Sequence, residues 1–213
     1  MRRESVLVVA VVLAVILATP LSAEVKKAVG SIELTGPGGV VAAPGFDVTK
    51  LSIASDGKQL KIAATLKDPP GVVAGDVIEL HFDTDNNPET GVGLFRYREL
   101  TGFEYEGKLN ACVELTGGTT VCAGRTTGKI KLHFGAINLE RYKGAGTSDT
   151  ETVVGTGGKA SSKLPIEASL VQATLDYADL GVKSGQTIRI LVRETCAKND
   201  LSSFFPEIQL TLK

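Results

Sequence analysis

The alternation of apolar and polar residues is the main pattern in this chain, and it predicts β-strands. Ile78, Leu80 and Phe82 are separated from one another by single polar residues, which is the two-residue period of a strand with one buried face. The same period recurs in residues 130–134 and 186–194. No long helical pattern follows the N-terminal apolar segment. The sequence therefore predicts an all-β fold, an antiparallel β-sandwich of immunoglobulin-like or jelly-roll-like type.

Turn residues divide this pattern into short segments. Strands are predicted at residues 29–35, 46–54, 60–66, 76–82, 95–105, 109–115, 119–124, 130–134, 164–176, 186–194 and 207–212. Residues 177–180 predict one helical turn, and the Gly-, Ser- and Thr-rich residues 143–163 predict a long loop with a short strand at 152–154. Because one core can serve a chain of this length, residues 24–213 are predicted to form a single domain.

The first 23 residues have the features of a secretory signal peptide. Arg2 and Arg3 precede an apolar run at positions 6–18, and small residues then lead to a cleavage site after Ala23. The apolar run is shorter than the ~20 residues that a membrane span needs. We therefore expect a secreted or periplasmic protein, which would be attached to a membrane only if cleavage failed and the segment stayed as an anchor.

Composition and charge disfavour several classes of function. The chain has 23 Lys and Arg residues against 24 Asp and Glu, a formal net charge of −1. There is no basic run, so nucleic acid is not an expected partner. Only two His are present, and neither Gly-x-Ser-x-Gly nor His-Glu-x-x-His occurs. The carboxylates do not form an obvious catalytic pair. We therefore expect a protein that is not an enzyme.

An acidic loop, residues 83–91, follows the strand that contains Phe82. Asp83, Asp85 and Asn87 place side-chain oxygens at alternate positions, and the Pro and Gly residues of this loop favour a turn that brings such oxygens together. Hard cations prefer oxygen ligands, and Ca²⁺ tolerates irregular geometry better than Mg²⁺ does. The loop therefore predicts a calcium site. The alternative is a solvated turn with no metal, because the same residue types are common in turns.

The rest of the coordination shell would come from outside the acidic loop. The spacing does not fit an EF-hand, which requires Gly at the sixth position and Glu at the twelfth. The next strand supplies Glu99, Glu104 and Glu106, and Glu104 is the predicted ligand because the chain returns to the loop there after about the length of one hairpin. A main-chain carbonyl near Glu89 or Thr90 would complete the shell.

These residues carry a resemblance to a known group of proteins. A strand ending in Asp-x-Asp-x-Asn-Pro-x-Thr-Gly, followed by Gly-x-Glu-Tyr, resembles the secreted β-sandwich domains of the DOMON-like and family-nine carbohydrate-binding-module-like group. Residues 51–66 are similar to the hairpin that precedes the loop in that group, and residues 178–185 to a late turn. The resemblance covers residues 46–213. It implies a sandwich fold and, by position, metal ligation by Asp83, Asp85, Asn87 and Glu104, and it favours glycan binding without settling a ligand.

A ligand surface is predicted beside the acidic loop. Arg96 and Arg98 alternate with aromatic residues that include Tyr97, so one face of the predicted strand would be cationic and suited to an acidic polysaccharide. The alternative is that both arginines are solvated and pair with nearby glutamates. The absence of Trp argues against a carbohydrate platform. A structural or interaction protein of the cell envelope with no small-molecule ligand is therefore the second expected function.

The two histidines offer a third, less favoured function. Some DOMON-like domains bind haem, and His81 and His133 are the only histidines that could serve as its axial ligands. Both fall on the polar side of their predicted strands, and the only Met is the initiator. We therefore expect two surface histidines rather than a haem site.

The cysteines predict one disulfide bond. Cys112 and Cys122 flank a predicted hairpin, and a three-residue loop at positions 116–118 would place them directly opposite each other. A cross-strand disulfide is geometrically reasonable there and suits an oxidising compartment. Cys196 would then be unpaired.

Overall fold

The structure is a computed structural model that describes residues 25–36, 48–67, 75–92, 101–114, 120–121, 131–143, 150–154, 162–163, 170–194 and 204–213. In chain order these residues form β1 (Lys26–Val29), β2 (Ser31–Thr35), β3 (Val48–Ser55), β4 (Gln59–Leu66), β5 (Gly75–Asp83), β6 (Tyr105–Glu114), β7 (Thr120–Val121), β8 (Lys131–Tyr142), β9 (Thr150–Val154), β10 (Ser162–Lys163), β11 (Leu170–Asp176), α1 (Tyr177–Leu180), β12 (Thr187–Glu194) and β13 (Ile208–Thr211). The predicted signal peptide, residues 1–23, lies outside the described part of the chain.

The described strands form two sheets. Sheet A has nine strands, in the order β1-β13-β12-β5-β6-β8-β10, with β7 paired to β6 and β9 paired to β8. Sheet B has four strands, in the order β11-β4-β3-β2. The pairs are antiparallel except for β1 and β13, which run parallel. The predicted all-β, predominantly antiparallel sandwich is therefore confirmed.

The core lies between the sheets and is formed by the apolar positions of the alternating pattern. On sheet A, Ile78, Leu80 and Phe82 of β5 are fully buried in it. On sheet B, Ile53 of β3 and Ile62 of β4 are cross-strand partners, and both are fully buried. The apolar stripe of each strand faces the other sheet because burying it there removes it from water. The polar residues of β5, Glu79, His81 and Asp83, alternate with this stripe and consequently lie on the outer face of sheet A.

Two strand predictions in sheet A are corrected by the structure. Residues 101–104 do not continue a strand from residue 95: Phe103 makes only an isolated bridge with Val92, and β6 begins at Tyr105. Gly102 has φ +91°, which breaks the extended backbone of a strand. The strand predicted at residues 130–134 is part of a longer strand, β8.

The length of β8 was missed because a bulge changes the phase of its alternation. Phe134 pairs with Ala111 and Ala136 pairs with Asn110, so Gly135 is an extra residue in β8. An extra residue turns the side chains that follow it to the opposite face. Ile137 and Leu139, which are buried in the core, therefore fall at odd-numbered positions, whereas the apolar residues of the predicted alternation, Leu132 and Phe134, are even-numbered.

Candidate metal centre

The acidic loop turns tightly after β5 and brings the chain back toward it. Asn86 has φ +54°, in the left-handed region that Asn tolerates better than most residues do. The bridge between Val92 and Phe103 then closes the connection, and the Glu104 N–H donates to the Phe82 carbonyl over 2.9 Å. Glu104 therefore lies beside the end of β5, as the sequence predicted.

Three of the four predicted metal ligands converge. One carboxylate oxygen from each of Asp83, Asp85 and Glu104 lies within 4.8 Å of the other two. Asp83 is fully buried, Glu104 is half-buried and Asp85 is exposed. The group therefore spans the boundary between the protein interior and the solvent, which leaves one side accessible to an ion.

Asn87, the fourth predicted ligand, shapes the loop. Its N–H donates to Asp83 Oδ1 over 3.1 Å and to Asp85 Oδ1 over 3.0 Å. Its side-chain oxygen accepts the Glu89 N–H over 3.1 Å, which is an Asx-type turn. These bonds hold the two aspartates in place whether or not Asn87 also contacts a metal.

Two threonines, not predicted as site side chains, contact the same carboxylates. The Thr90 hydroxyl lies 3.0 Å from both carboxylate oxygens of Asp85 and 3.1 Å from Glu104 Oε1. Thr84 donates to Glu104 Oε2 through its N–H over 2.7 Å and through its hydroxyl over 3.0 Å. The sequence expectation had placed a main-chain carbonyl near Thr90. The Thr90-Gly91 ending of the loop was the sequence feature that could have predicted this hydroxyl as part of the site.

Arg189 was also not predicted, and it is the cation of this site. Its Nε and Nη2 lie 2.9 Å and 2.8 Å from Asp83 Oδ2, so two guanidinium nitrogens contact one carboxylate oxygen. Nη2 also donates to the Thr101 carbonyl, and the guanidinium carbon lies 5.0 Å from the centroid of the Phe103 ring. Arg189 is the cross-strand partner of Asp83 between β12 and β5. The only indication of its role in the sequence was its position between Ile188 and Ile190, which places its side chain on the outer face of β12.

Glycine is required where residues 101–104, the return segment, approach the acidic loop. A Cβ atom on Gly102 would lie 2.7 Å from the Asn87 carbonyl oxygen, 2.7 Å from the Pro88 Cα and 2.7 Å from Arg189 Nη2. Two of these atoms belong to the backbone and cannot move aside cheaply. The close approach brings the loop, the return segment and Arg189 into contact at one point.

Burial controls the protonation of the two enclosed carboxylates. Burial raises the pKa of Asp83 above its usual value, although Arg189 and the Asn87 N–H act in the opposite direction. Burial also raises the pKa of Glu104, against the hydrogen bonds from Thr84 and Thr90. A bound cation would favour the charged form of both groups. An all-oxygen set of this kind suits a hard cation such as Ca²⁺ better than a transition metal.

A second polar cluster lies farther along β5. The His81 Nε2 is 3.2 Å from Glu79 Oε1, and Arg193 pairs with the other oxygen of Glu79. The expectation that His81 is a surface residue is wrong: its side chain is 3% exposed, and the Phe103 ring lies 5.8 Å from it, centroid to centroid. Because Phe103 covers this part of sheet A, a polar position in the alternation does not mean an exposed one.

Several predicted residues lie outside the described part of the chain. These are the ligand residues Arg96, Tyr97 and Arg98 and two of the cysteines, Cys122 and Cys196. Their assignments stay predictions. The same is true of the haem alternative, because the side chain of His133 is not described.

The expected register of the cysteine hairpin can be compared with the part of it that is described. Val113 pairs with Val121 and Glu114 with Thr120 between β6 and β7. One further step in this register would pair Cys112 with residue 122, which is the register assumed for the disulfide. The disulfide itself stays a prediction.

Similarity to known proteins does not assign this chain to a family. Within the described residues, no helix is long and apolar enough to span a membrane. No protein-family model matches the sequence, and no curated protein or solved structure is significantly similar to it.

Proposed function

We propose that the protein is an extracytoplasmic, non-catalytic β-sandwich module whose acidic loop binds a structural calcium ion. The observation that carries the proposal is the convergence of the Asp83, Asp85 and Glu104 carboxylates within 4.8 Å at the end of β5. The N-terminal segment supports an extracytoplasmic location, where Ca²⁺ is available at concentrations that weak sites can use.

The charges of the site favour a divalent ion. Three ionised carboxylates and the Arg189 guanidinium sum to a net charge of −2, and the Glu207 carboxylate, 3.8 Å from Arg189 Nη1, adds a further negative charge, so the group is complementary to a divalent cation. Arg189 occupies Asp83 Oδ2, whereas Oδ1 faces the acidic loop and accepts the Asn87 N–H. An ion would therefore bind on the loop side of Asp83, with Arg189 holding the carboxylate from the opposite side.

A second candidate function is a structural or interaction protein of the cell envelope that has no metal and no small-molecule ligand. The observation in its favour is that the same carboxylates already accept hydrogen bonds from Thr84, Asn87 and Thr90. These donors, together with Arg189, satisfy the carboxylates well enough for the loop to fold without an ion.

The two functions differ in how stability responds to calcium. An extracellular-type site has a Kd of ~0.1–1 mM, and ~1 mM free Ca²⁺ with a Kd of ~0.1 mM adds about 1.4 kcal/mol to the free energy of unfolding. The test is the thermal unfolding of residues 24–213, measured by calorimetry in Ca²⁺ and in EGTA. Equal stability in Ca²⁺ and in EGTA would contradict calcium binding and favour the metal-free function.

The choice of variant matters because the two aspartates differ in burial. Asp85→Asn should abolish the calcium gain with little effect in EGTA, since Asp85 is exposed. Asp83→Asn is unsuitable, because it would strip the buried partner from Arg189. The matched control is Asp56→Asn, which changes another exposed turn aspartate that accepts two backbone N–H groups but should leave the calcium gain intact.

A further inference from the structure

A groove opens at the end of the sandwich that carries the acidic loop. It lies between the β3–β4 turn and the segment around α1, and its volume is about 820 Å³, within the range of small-molecule sites. Gln186 connects it to the metal centre: its side-chain oxygen accepts the Lys183 N–H over 3.2 Å, and its side-chain nitrogen donates to the Thr84 carbonyl. The groove and the acidic loop therefore share one supporting side chain.

The walls of the groove are fixed by hydrogen bonds between distant parts of the chain. Gln59 Nε2 donates to Asp176 Oδ1 over 2.6 Å, and the Tyr177 N–H donates to the Lys58 carbonyl over 2.8 Å. Both bonds join the β3–β4 hairpin to the segment that begins α1. Tyr177 is itself buried, and its hydroxyl lies 3.4 Å from the Lys213 carbonyl. A ligand would therefore meet a preformed surface and lose little affinity to ordering it.

The acidic groups of the groove are already occupied. Asp56 Oδ1 accepts the N–H groups of Lys58 and Gln59, and Oδ2 lies 3.1 Å from the Lys61 amine. These partners lower the pKa of Asp56, and the hydrogen bond from Lys61 is the largest cause. Asp56 is therefore ionised at neutral pH, and its oxygens are already paired within the protein. Asp176 likewise accepts from Gln59.

The basic groups of the groove are available. Within the described part of the chain, the side chains of Lys58, Lys183 and Ser184 make no hydrogen bond or ion pair, and all three are exposed. Two ammonium groups and one hydroxyl thus line a groove whose carboxylates are committed to other residues. An excess of free donors over free acceptors is complementary to an anion.

We propose that this groove binds the carboxylate groups of an acidic polysaccharide, with Lys58 and Lys183 as the ion-pairing residues. The apolar lining of Ala178 and Val182 would contact the sugar ring between charged groups. The inference rests on the proposed extracytoplasmic, non-catalytic module, to which it adds a ligand, and it is independent of calcium.

The test compares one sugar with and without its charge. Binding of an oligogalacturonate and of the same oligomer as its methyl ester is measured by calorimetry in EGTA, which also prevents the acidic sugar from sequestering calcium. We expect the parent protein to bind the acidic oligomer and not the ester. Lys58→Gln/Lys183→Gln should weaken binding about tenfold, because each exposed ion pair contributes modestly.

A control variant with the same change in net charge separates the groove from general electrostatics. Lys27→Gln/Lys67→Gln alters two exposed lysines outside the groove lining and should bind as the parent does. Equal weakening of the two double variants, equal binding of acid and ester, or no binding by the folded parent would each overturn the inference. Calcium stabilisation measured separately would be untouched by any of these results.

Discussion

The outer faces of the two sheets follow the same sequence pattern but differ in their surroundings. On sheet B, Lys50 and Glu33 form an ion pair of 2.6 Å whose side chains are 48% and 62% exposed. On sheet A, Arg189 and Asp83 form one of 2.8 Å whose side chains are 12% and 0% exposed. Alternation predicted the outward direction of both pairs, and only one of them lies in water.

The difference arises from a second layer over the centre of sheet A. Phe103, Leu191 and Val92 are at most 6% exposed, although none of them belongs to the core between the sheets. This layer shields Asp83, His81 and Glu79 from solvent. Ion pairs in water contribute little to stability, whereas a buried charge that loses its partner is strongly destabilising. The two faces should therefore respond very differently to the loss of one charge.

The largest expected effect is that of Arg189→Met. This change keeps much of the side-chain volume but leaves Asp83 buried without its guanidinium, so the free energy of unfolding should fall by about 3–5 kcal/mol in EGTA. Urea unfolding measures it. The double variant Asp83→Asn/Arg189→Met should recover a large part of the loss, because the fully buried charge at Asp83 is removed, although Glu207, 3.8 Å from Arg189 Nη1, still loses its partner. A loss below about 1 kcal/mol for Arg189→Met would show that this face is not shielded.

An intermediate effect is expected for Glu79→Gln, and it should depend on pH. Burial alone would raise the pKa of Glu79, but His81 and Arg193 lower it from 4.5 to about 2. A carboxyl with a lowered folded pKa contributes stability that is complete above the unfolded value and lost as pH falls. The variant should therefore be about 3 kcal/mol less stable than the parent at pH 7, and the gap should close between pH 4.5 and pH 2.

The measurement for Glu79→Gln is urea unfolding across that pH range. Asp83 and Glu104 act in the opposite direction, since a raised folded pKa means that the folded state takes up protons first. They are present in both proteins, so they cancel in the difference between parent and variant. A difference that stays constant from pH 7 to pH 2 would contradict the assigned role of Glu79.

The smallest expected effect is on sheet B. Glu33→Gln removes one partner of the exposed pair with Lys50, and stability should change by no more than about 0.5 kcal/mol. The same urea experiment applies. Equal losses of stability in Glu33→Gln and Glu79→Gln would contradict the difference in solvent exposure between the outer faces of sheets B and A.

How far the site could be predicted depended on the distance along the chain. Asp83 and Asp85 belong to one turn, and Glu104 is reached after a short excursion, so local spacing was enough to place them together. Arg189 lies 106 positions from Asp83, and only the pairing of β12 with β5 brings them into contact. Alternation in a single sequence assigns residues to strands and faces, but it does not show which strands become neighbours in the sheet.

Burial was the other property that alternation did not predict. The pattern assigns each residue to a face, and it assigned His81 correctly to the outer one. Whether that face meets water depends on Phe103, which reaches it only because Gly102 permits a backbone conformation that breaks the expected strand. The bulge at Gly135 likewise shifts the alternation in β8 by one residue, which a prediction based on a fixed two-residue period does not include.

The parallel pairing of β1 with β13 has a mechanical consequence. Lys26 lies opposite Ile208 and Val29 opposite Thr211, so the chain enters this strand pair at one end and leaves it at the other. Tension applied between residues 26 and 213 would slide the two strands past each other and load their hydrogen bonds together. Tension between residues 48 and 66, at the open end of the β3–β4 hairpin, would separate the pairs one at a time. Single-molecule pulling should therefore require the greater force through residues 26 and 213, so that β1 and β13 act together as a clamp.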